Sequence, residues 1–245
     1  MRELLVINPN TSSSVSGLLQ DHVQTVAGQG VRVRTATARF GAPYIACEAS
    51  YAVAAHAVLD AWATALANGA RPHAVLIGCF GDPGLHALRE ASPVPVTGLA
   101  EASFIAAARR GRFTVVTGGE RWAPMLRRLA LALGHADALA AIHTVAPTGV
   151  QLAADPQAAC ALLARACAEA ARQTGAHTVV LGGAGLAGMA ARVQAQVDVP
   201  VVDSVTAGAL WALCGDAPAG ERAAPGFGVP WGGVSAELAA LGAPG

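Results

Sequence analysis

Ala74-Val75-Leu76-Ile77, running into Gly78-Cys79-Phe80-Gly81-Asp82-Pro83-Gly84, is the stretch that decides the fold. Its four apolar residues have the pattern of a parallel-type strand buried on both faces. The glycines at 78 and 81 break that strand and let backbone approach a ligand closely. Asp82 offers an N-cap to a following helix, and Pro83 suits the first helical position. A cysteine is thereby placed in the turn between a strand's end and a helix's start. In open α/β sheets that edge is where ligands bind. A nearby helix N-terminus and free backbone N–H groups are expected to favour the thiolate of Cys79. On this context alone, Cys79 can equally be a small cysteine filling a buried turn.

A second copy of the stretch lies further along. His73-Ala74-Val75-Leu76-Ile77-Gly78-Cys79-Phe80-Gly81 aligns with His177-Thr178-Val179-Val180-Leu181-Gly182-Gly183-Ala184-Gly185. Downstream, Val94-Pro95-Val96-Thr97-Gly98 matches Val199-Pro200-Val201-Val202-Asp203, and upstream Leu4-Leu5-Val6-Ile7 matches Phe113-Thr114-Val115-Val116. The chain therefore reads as a duplicated α/β unit whose two strand-turn-helix loops meet across a cleft, with Cys79 facing Gly183. The expected architecture is α/β: two pseudo-symmetric flavodoxin-like (Rossmann-like) lobes with parallel sheets and the active site between them. Lobe 1 is assigned residues 1–98 plus 205–245, and lobe 2 residues 99–204.

The 245 residues suffice for two small lobes or one sizeable core. Hydrophobic residues make up 53% and charged residues 13%, but the excess is mostly alanine and valine and no apolar run is long enough to span a membrane. Arg2-Glu3 leads directly into a strand pattern, unlike a secretory signal. A cytoplasmic, soluble protein without a membrane partner is expected. The formal net charge of zero and the lack of a basic run argue against nucleic acid. Five scattered cysteines suggest neither a disulfide framework nor a zinc site, and no metal is expected. The partner expected is a small-molecule substrate, with the chain a homo-oligomer.

In chain order, Leu4–Ile7 is a strand, and Asn8-Pro9-Asn10-Thr11-Ser12 a polar turn before a helix over Ser12–Val26. Capping alone accounts for a lone Asn-Thr-Ser turn, but so many polar groups exceed what capping needs, which favours contact with a ligand through Asn10 and Thr11. Val31–Ala38 alternates as a half-wet strand. The Phe40-Gly41-Ala42-Pro43-Tyr44-Ile45 loop precedes a long helix over about Cys47–Asn68, with Trp62 in the core and Glu48 complementing the helix dipole. His86 is a solvated or packed histidine of the next helix. Thr117-Gly118-Gly119 takes the place of the polar turn in the second half, where Thr117 and Gly118 offer a hydroxyl and amides to a ligand oxygen. The arginines of the helix over Arg121–Leu133 are explained by solvation. Cys160 and Cys167 share a core face of the helix over Asp155–Thr174, and His143 is structural. Gly215–Gly233 is a Gly/Pro-rich loop, and Val234–Leu241 a short closing helix.

The opening Val6-Ile7-Asn8-Pro9-Asn10-Thr11-Ser12, the Gly78-Cys79-Phe80-Gly81-Asp82-Pro83-Gly84 turn and Pro200-Val201-Val202-Asp203 resemble the Asp/Glu/hydantoin racemase superfamily, nearest its hydantoin and allantoin racemase group. The resemblance spans nearly the whole chain. It implies a cofactor-independent isomerase in which two cysteines, one per lobe, flank a stereocentre. One thiolate removes the proton and the opposite thiol returns one. Cys79 matches the first cysteine, whereas the position of the second is Gly183. A glycine has nothing to titrate, so one face lacks its thiol. Cys47, His86 or a water can substitute, or the enzyme can use one face only, as in a lyase resembling arylmalonate decarboxylase. A third possibility is a homologue that binds a small molecule without catalysis. Backbone N–H groups of Phe80, Gly81, Gly183, Ala184 and Gly185 would stabilise an enolate oxygen, with Asn10, Thr11 and Thr117 holding the other polar atoms. A cysteine restored at 183 is expected to create or raise racemisation.

Overall fold

Successive halves of the chain build two parallel four-stranded sheets in the same strand order. The computed structural model describes residues 1–146, 151, 155–214 and 230–242. The first sheet holds β1 (Arg2–Asn8), β2 (Val31–Thr37), β3 (Ala74–Ile77) and β4 (Val96–Gly98), ordered β2-β1-β3-β4. The second holds β5 (Phe113–Gly118), β6 (Leu139–Val145), β7 (Thr178–Gly182) and β8 (Val201–Asp203), ordered β6-β5-β7-β8. The duplication extends to single hydrogen bonds. His73 N donates to Glu3 O at 2.8 Å where His177 N donates to Arg112 O at 2.7 Å, and Val75 N donates to Pro95 O at 2.9 Å where Val179 N donates to Pro200 O at 3.0 Å. Flavodoxin-like lobes with parallel sheets are thus the observed architecture.

The helices are α1 (Ser13–Ala27), α2 (Glu48–Ala67), α3 (Leu85–Ala91), α4 (Leu99–Ala108), α5 (Trp122–Ala132), α6 (Pro156–Thr174), α7 (Met189–Gln194), α8 (Ser204–Cys214) and α9 (Ala236–Gly242). A single 3₁₀ turn, Ala184–Leu186, follows β7. The short α7 was not anticipated. The closing helix is present as α9, while residues 215–229 of the Gly/Pro-rich loop lie outside the described residues.

Alternation along the strands explains the layering. Leu4, Val6 and Leu76 face a central core shared with Phe104, Phe113, Val115 and Val180 of the second half. Leu5, Ile7, Val75 and Ile77 face an outer layer with Trp62 of α2, and Val116, Val179 and Leu181 face another with Cys167 of α6. Trp62 and Cys167 are buried as expected. Because β1, β3 and β7 are covered on both faces, their unbroken apolar runs are required rather than tolerated. Among the described residues, no helix is long and apolar enough to cross a membrane.

Candidate functional site

Five loops converge at the carboxyl ends of β1, β2, β3, β5 and β7, around one cavity. Asn10, Cys79, Phe80, Thr117, Gly118, Gly183, Ala184 and Gly185 line it, so the two repeated loops look into a common space. Thr11 and Gly81 do not line it. The Thr11 backbone N–H is bonded to Ala42 O, and Gly81 packs behind the cysteine loop. Neither Cys47 nor His86 lines it either. Cys47 caps α2 beside Ser50, whose hydroxyl draws its thiol below the ordinary cysteine range, and His86 is exposed on α3.

The polar turn after β1 is a scaffold with one free end. Buried Asn8 donates from Nδ2 to Asn10 Oδ1 at 3.0 Å and Ser16 Oγ at 2.9 Å. Asn10 Oδ1 also accepts from Ser12 N at 2.9 Å. With its oxygen bound to two donors, the Asn10 amide has a fixed orientation, and its NH₂ group is left to the cavity. The Ser12 hydroxyl caps α1 by accepting from Val15 N. Capping and ligand contact are thus divided between Ser12 and Asn10.

Cys79 is 7% exposed, and burial first, then the nearby Asp82 carboxylate, pushes its thiol well above the ordinary cysteine range. This overturns the expectation of a favoured thiolate. Burial is the first reason, and the helix starts add a second. α3 begins at Leu85, with Gly84 at its cap in the left-handed region, φ +76°, and no side-chain cap. Asp82 does not cap that helix, and Pro83 is not its first residue. Asp82, itself at φ +51°, instead accepts from Ala100 N at 2.9 Å and Glu101 N at 2.7 Å at the start of α4. The helix dipole nearest the cysteine loop is therefore already satisfied by a carboxylate.

The equivalent loop differs in backbone. Gly183 has φ +149°, a conformation that side chains rarely adopt, and a Cβ there would lie 3.3 Å from Leu186 Cγ. Its N–H donates to Ser204 Oγ at 3.1 Å. The wall on this side is Gly182, Gly183, Ala184, Gly185 and Leu186, with no titratable side chain. Among the lining residues only Cys79 and Tyr44 carry a side-chain proton of titratable type. Among the described residues, the backbone N–H groups of Cys79, Phe80, Ala184 and Gly185 have no hydrogen-bond partner.

Side chains crossing between the halves close the site, and these were not foreseen. A Cβ at Gly182 would fall on the Phe80 ring, and one at Gly81 on the Trp122 ring. The Tyr44 hydroxyl donates across to Gly118 O at 3.4 Å, while within the first half that of Tyr51 donates to Gly81 O at 2.7 Å. Glu48 stands in the first turn of α2, as expected of a dipole partner, and also pairs with Arg128 of α5 at 2.7 and 2.9 Å in an exposed bridge between the halves. Tyr44 and Trp122 line the cavity. Each follows a Gly-containing loop at a strand's carboxyl end, the one signal that marks them in the sequence. No group of metal-ligating side chains is present among the described residues.

A family model described as Asp/Glu/Hydantoin racemase matches residues 4–212. A hydantoin racemase of Paenarthrobacter aurescens is 34% identical over 83% of this chain and 86% of its own length. The solved allantoin racemase from Klebsiella pneumoniae superposes with a TM-score of 0.82 at 30% identity, covering 87% of each chain. A crystal structure of arylmalonate decarboxylase superposes with a TM-score of 0.58 at 19% identity, over 88% of this chain and 94% of that one, a likeness of fold alone.

Proposed function

From the premise that this chain belongs to the Asp/Glu/hydantoin racemase family, we propose that it moves a proton at an acidic C–H beside a carbonyl, in a hydantoin-like or amino-acid-derived substrate. The acid/base is Cys79, with no cofactor. One observation carries this reading: equivalent loops of the two repeats line one cavity, and one of them presents a thiol. Removing a proton beside a carbonyl builds negative charge on oxygen. The unpartnered N–H groups of Cys79, Phe80, Ala184 and Gly185 are donors preorganised for it. The Asn10 amide and the Thr117 hydroxyl supply polar contacts at the rim of the reacting centre. A thiol is a suitable acid/base once its proton is matched to the carbanion's demand.

Cys79→Ala is expected to abolish both deuterium incorporation at the stereocentre in deuterated water and loss of optical rotation. NMR and polarimetry on optically pure hydantoins, allantoin, aspartate and glutamate read both signals. Retention of both in the variant would remove Cys79 from the mechanism. A single-cysteine lyase is the second reading. Two features favour it: the Cys79 thiol is buried, which raises it above the ordinary cysteine range, and the Gly183 wall has no group to titrate. Loss of carbon dioxide from a disubstituted malonate would leave its bonding electron pair in an enolate, which the Cys79 thiol then protonates from one side to give one product enantiomer. Carbon dioxide release distinguishes the two.

A further inference from the structure

The two repeats satisfy the same helix start in different ways. In the second, Asp203 ends β8 and its Oδ1 accepts from Val205 N and Thr206 N, both at 3.0 Å, at the start of α8, while Oδ2 accepts from Gly188 N at 2.8 Å in the loop after β7. The residue aligned with Asp203 in the first repeat is Gly98, at the end of β4. A Cβ on Gly98 would fall on the Asp82 carboxylate. The carboxylate is therefore in the same place in both repeats, delivered by the strand in one and by the cysteine loop in the other. Delivery from the loop goes with a positive φ at Asp82, whereas the turn's own bond, Asp82 N donating to Cys79 O at 3.1 Å, has its counterpart in Leu186 N donating to Gly183 O at 3.0 Å. The negative charge is then tied directly to the turn that carries the thiol.

We propose that Asp82 is a positioning residue for Cys79: it anchors the cysteine turn to the start of α4 and, by its charge, reserves the sulfur for proton donation. The inference rests on the reading of Cys79 as the acid/base. Other groups surround the carboxylate. Glu101 of α4 adds negative charge but is bound by Arg89 of α3 at 2.7 and 2.9 Å and by the Thr97 hydroxyl at 2.8 Å. From α2, the Tyr51 phenol is raised by burial first, and then by Asp82 and Cys79. Arg89 is thus committed to Glu101, and among the described residues Asp82 has backbone N–H partners but no cationic one. Burial raises the Asp82 carboxyl to about 7 and the Cys79 thiol well above that, so as pH rises the carboxyl ionises before the thiol.

The test is the pH dependence of iodoacetamide alkylation at Cys79, quantified by mass spectrometry so that the other four cysteines do not interfere. Asp82→Asn keeps the side chain's size and tolerance of positive φ and removes the charge. Its alkylation midpoint is expected to fall by about one pH unit or more relative to the unchanged protein. The double variant Asp82→Gly with Gly98→Asp, which copies the second repeat, is expected to fold and to keep the high midpoint. An unchanged midpoint in folded Asp82→Asn overturns the proposal. If Asp82→Asn does not fold, a double variant that is also unfolded, or that is folded with a lowered midpoint, overturns it. Because alkylation needs no substrate, turnover that survives Cys79→Ala would defeat the functional reading and leave this result readable by itself.

Discussion

At the scale of single residues, Gly183 is the position on which the chemistry turns. Aligned with Cys79, it differs in side chain and in backbone, its φ of +149° being open to glycine and strained for any other residue. Gly183→Cys is therefore expected to gain racemisation only together with a loss of about 1–3 kcal/mol in stability. Denaturant unfolding measures that loss, and an undiminished midpoint would show that the loop readily adopts a second backbone. Gly182→Ala pushes a methyl group onto the Phe80 ring. It is expected to cost about 1–3 kcal/mol by overpacking, and a stability equal to that of the unchanged protein would refute the close approach. Cys79, Phe80, Asn10 and Thr117 were readable in the sequence because turn residues beside strand ends announce themselves. Tyr44 and Trp122 were not, because their place in the site depends on reaching the other repeat.

At the scale of elements, the sequence located the strands and long helices closely and misread one helix start. Asp82-Pro83 has the residue types of a cap and first turn, yet α3 starts at Leu85 and the carboxylate serves α4. Local chemistry identifies a residue able to cap; which of two nearby helix ends it caps is a matter of distance in space. The burial of this carboxyl gives stability a pH dependence. Its ordinary value is 3.8, and the fold raises it to about 7. The folded chain thus holds a proton there that the unfolded chain has released. That contribution is complete below about pH 4 and is lost as pH rises through about 7. Asp82→Asn is expected to flatten this part of the stability profile, read by denaturant unfolding across that range. An unaltered slope would mean that the two N–H bonds outweigh burial and keep the group ionised.

At the scale of the whole molecule, two similar halves are joined by contacts of unequal weight. Phe80 against Gly182 and Trp122 against Gly81 are buried and shape-matched, whereas Glu48–Arg128 is an exposed pair at the surface. Glu48→Gln is expected to alter stability little, with any effect vanishing as salt is raised. A large, salt-insensitive loss would make that bridge a principal joint between the halves. The amino-acid order by itself determined the duplication, the parallel sheets, the family and the cysteine turn, because each is written in local periodicity or in a motif repeated along the chain. Only the tertiary structure decided that the Cys79 thiol is buried and raised above the ordinary cysteine range, that Asp82 answers the helix of the next strand, and that aromatic side chains of each half fill glycine gaps in the other. Charge, burial and steric fit depend on neighbours distant in sequence, and those neighbours exist only once the two halves have closed on each other.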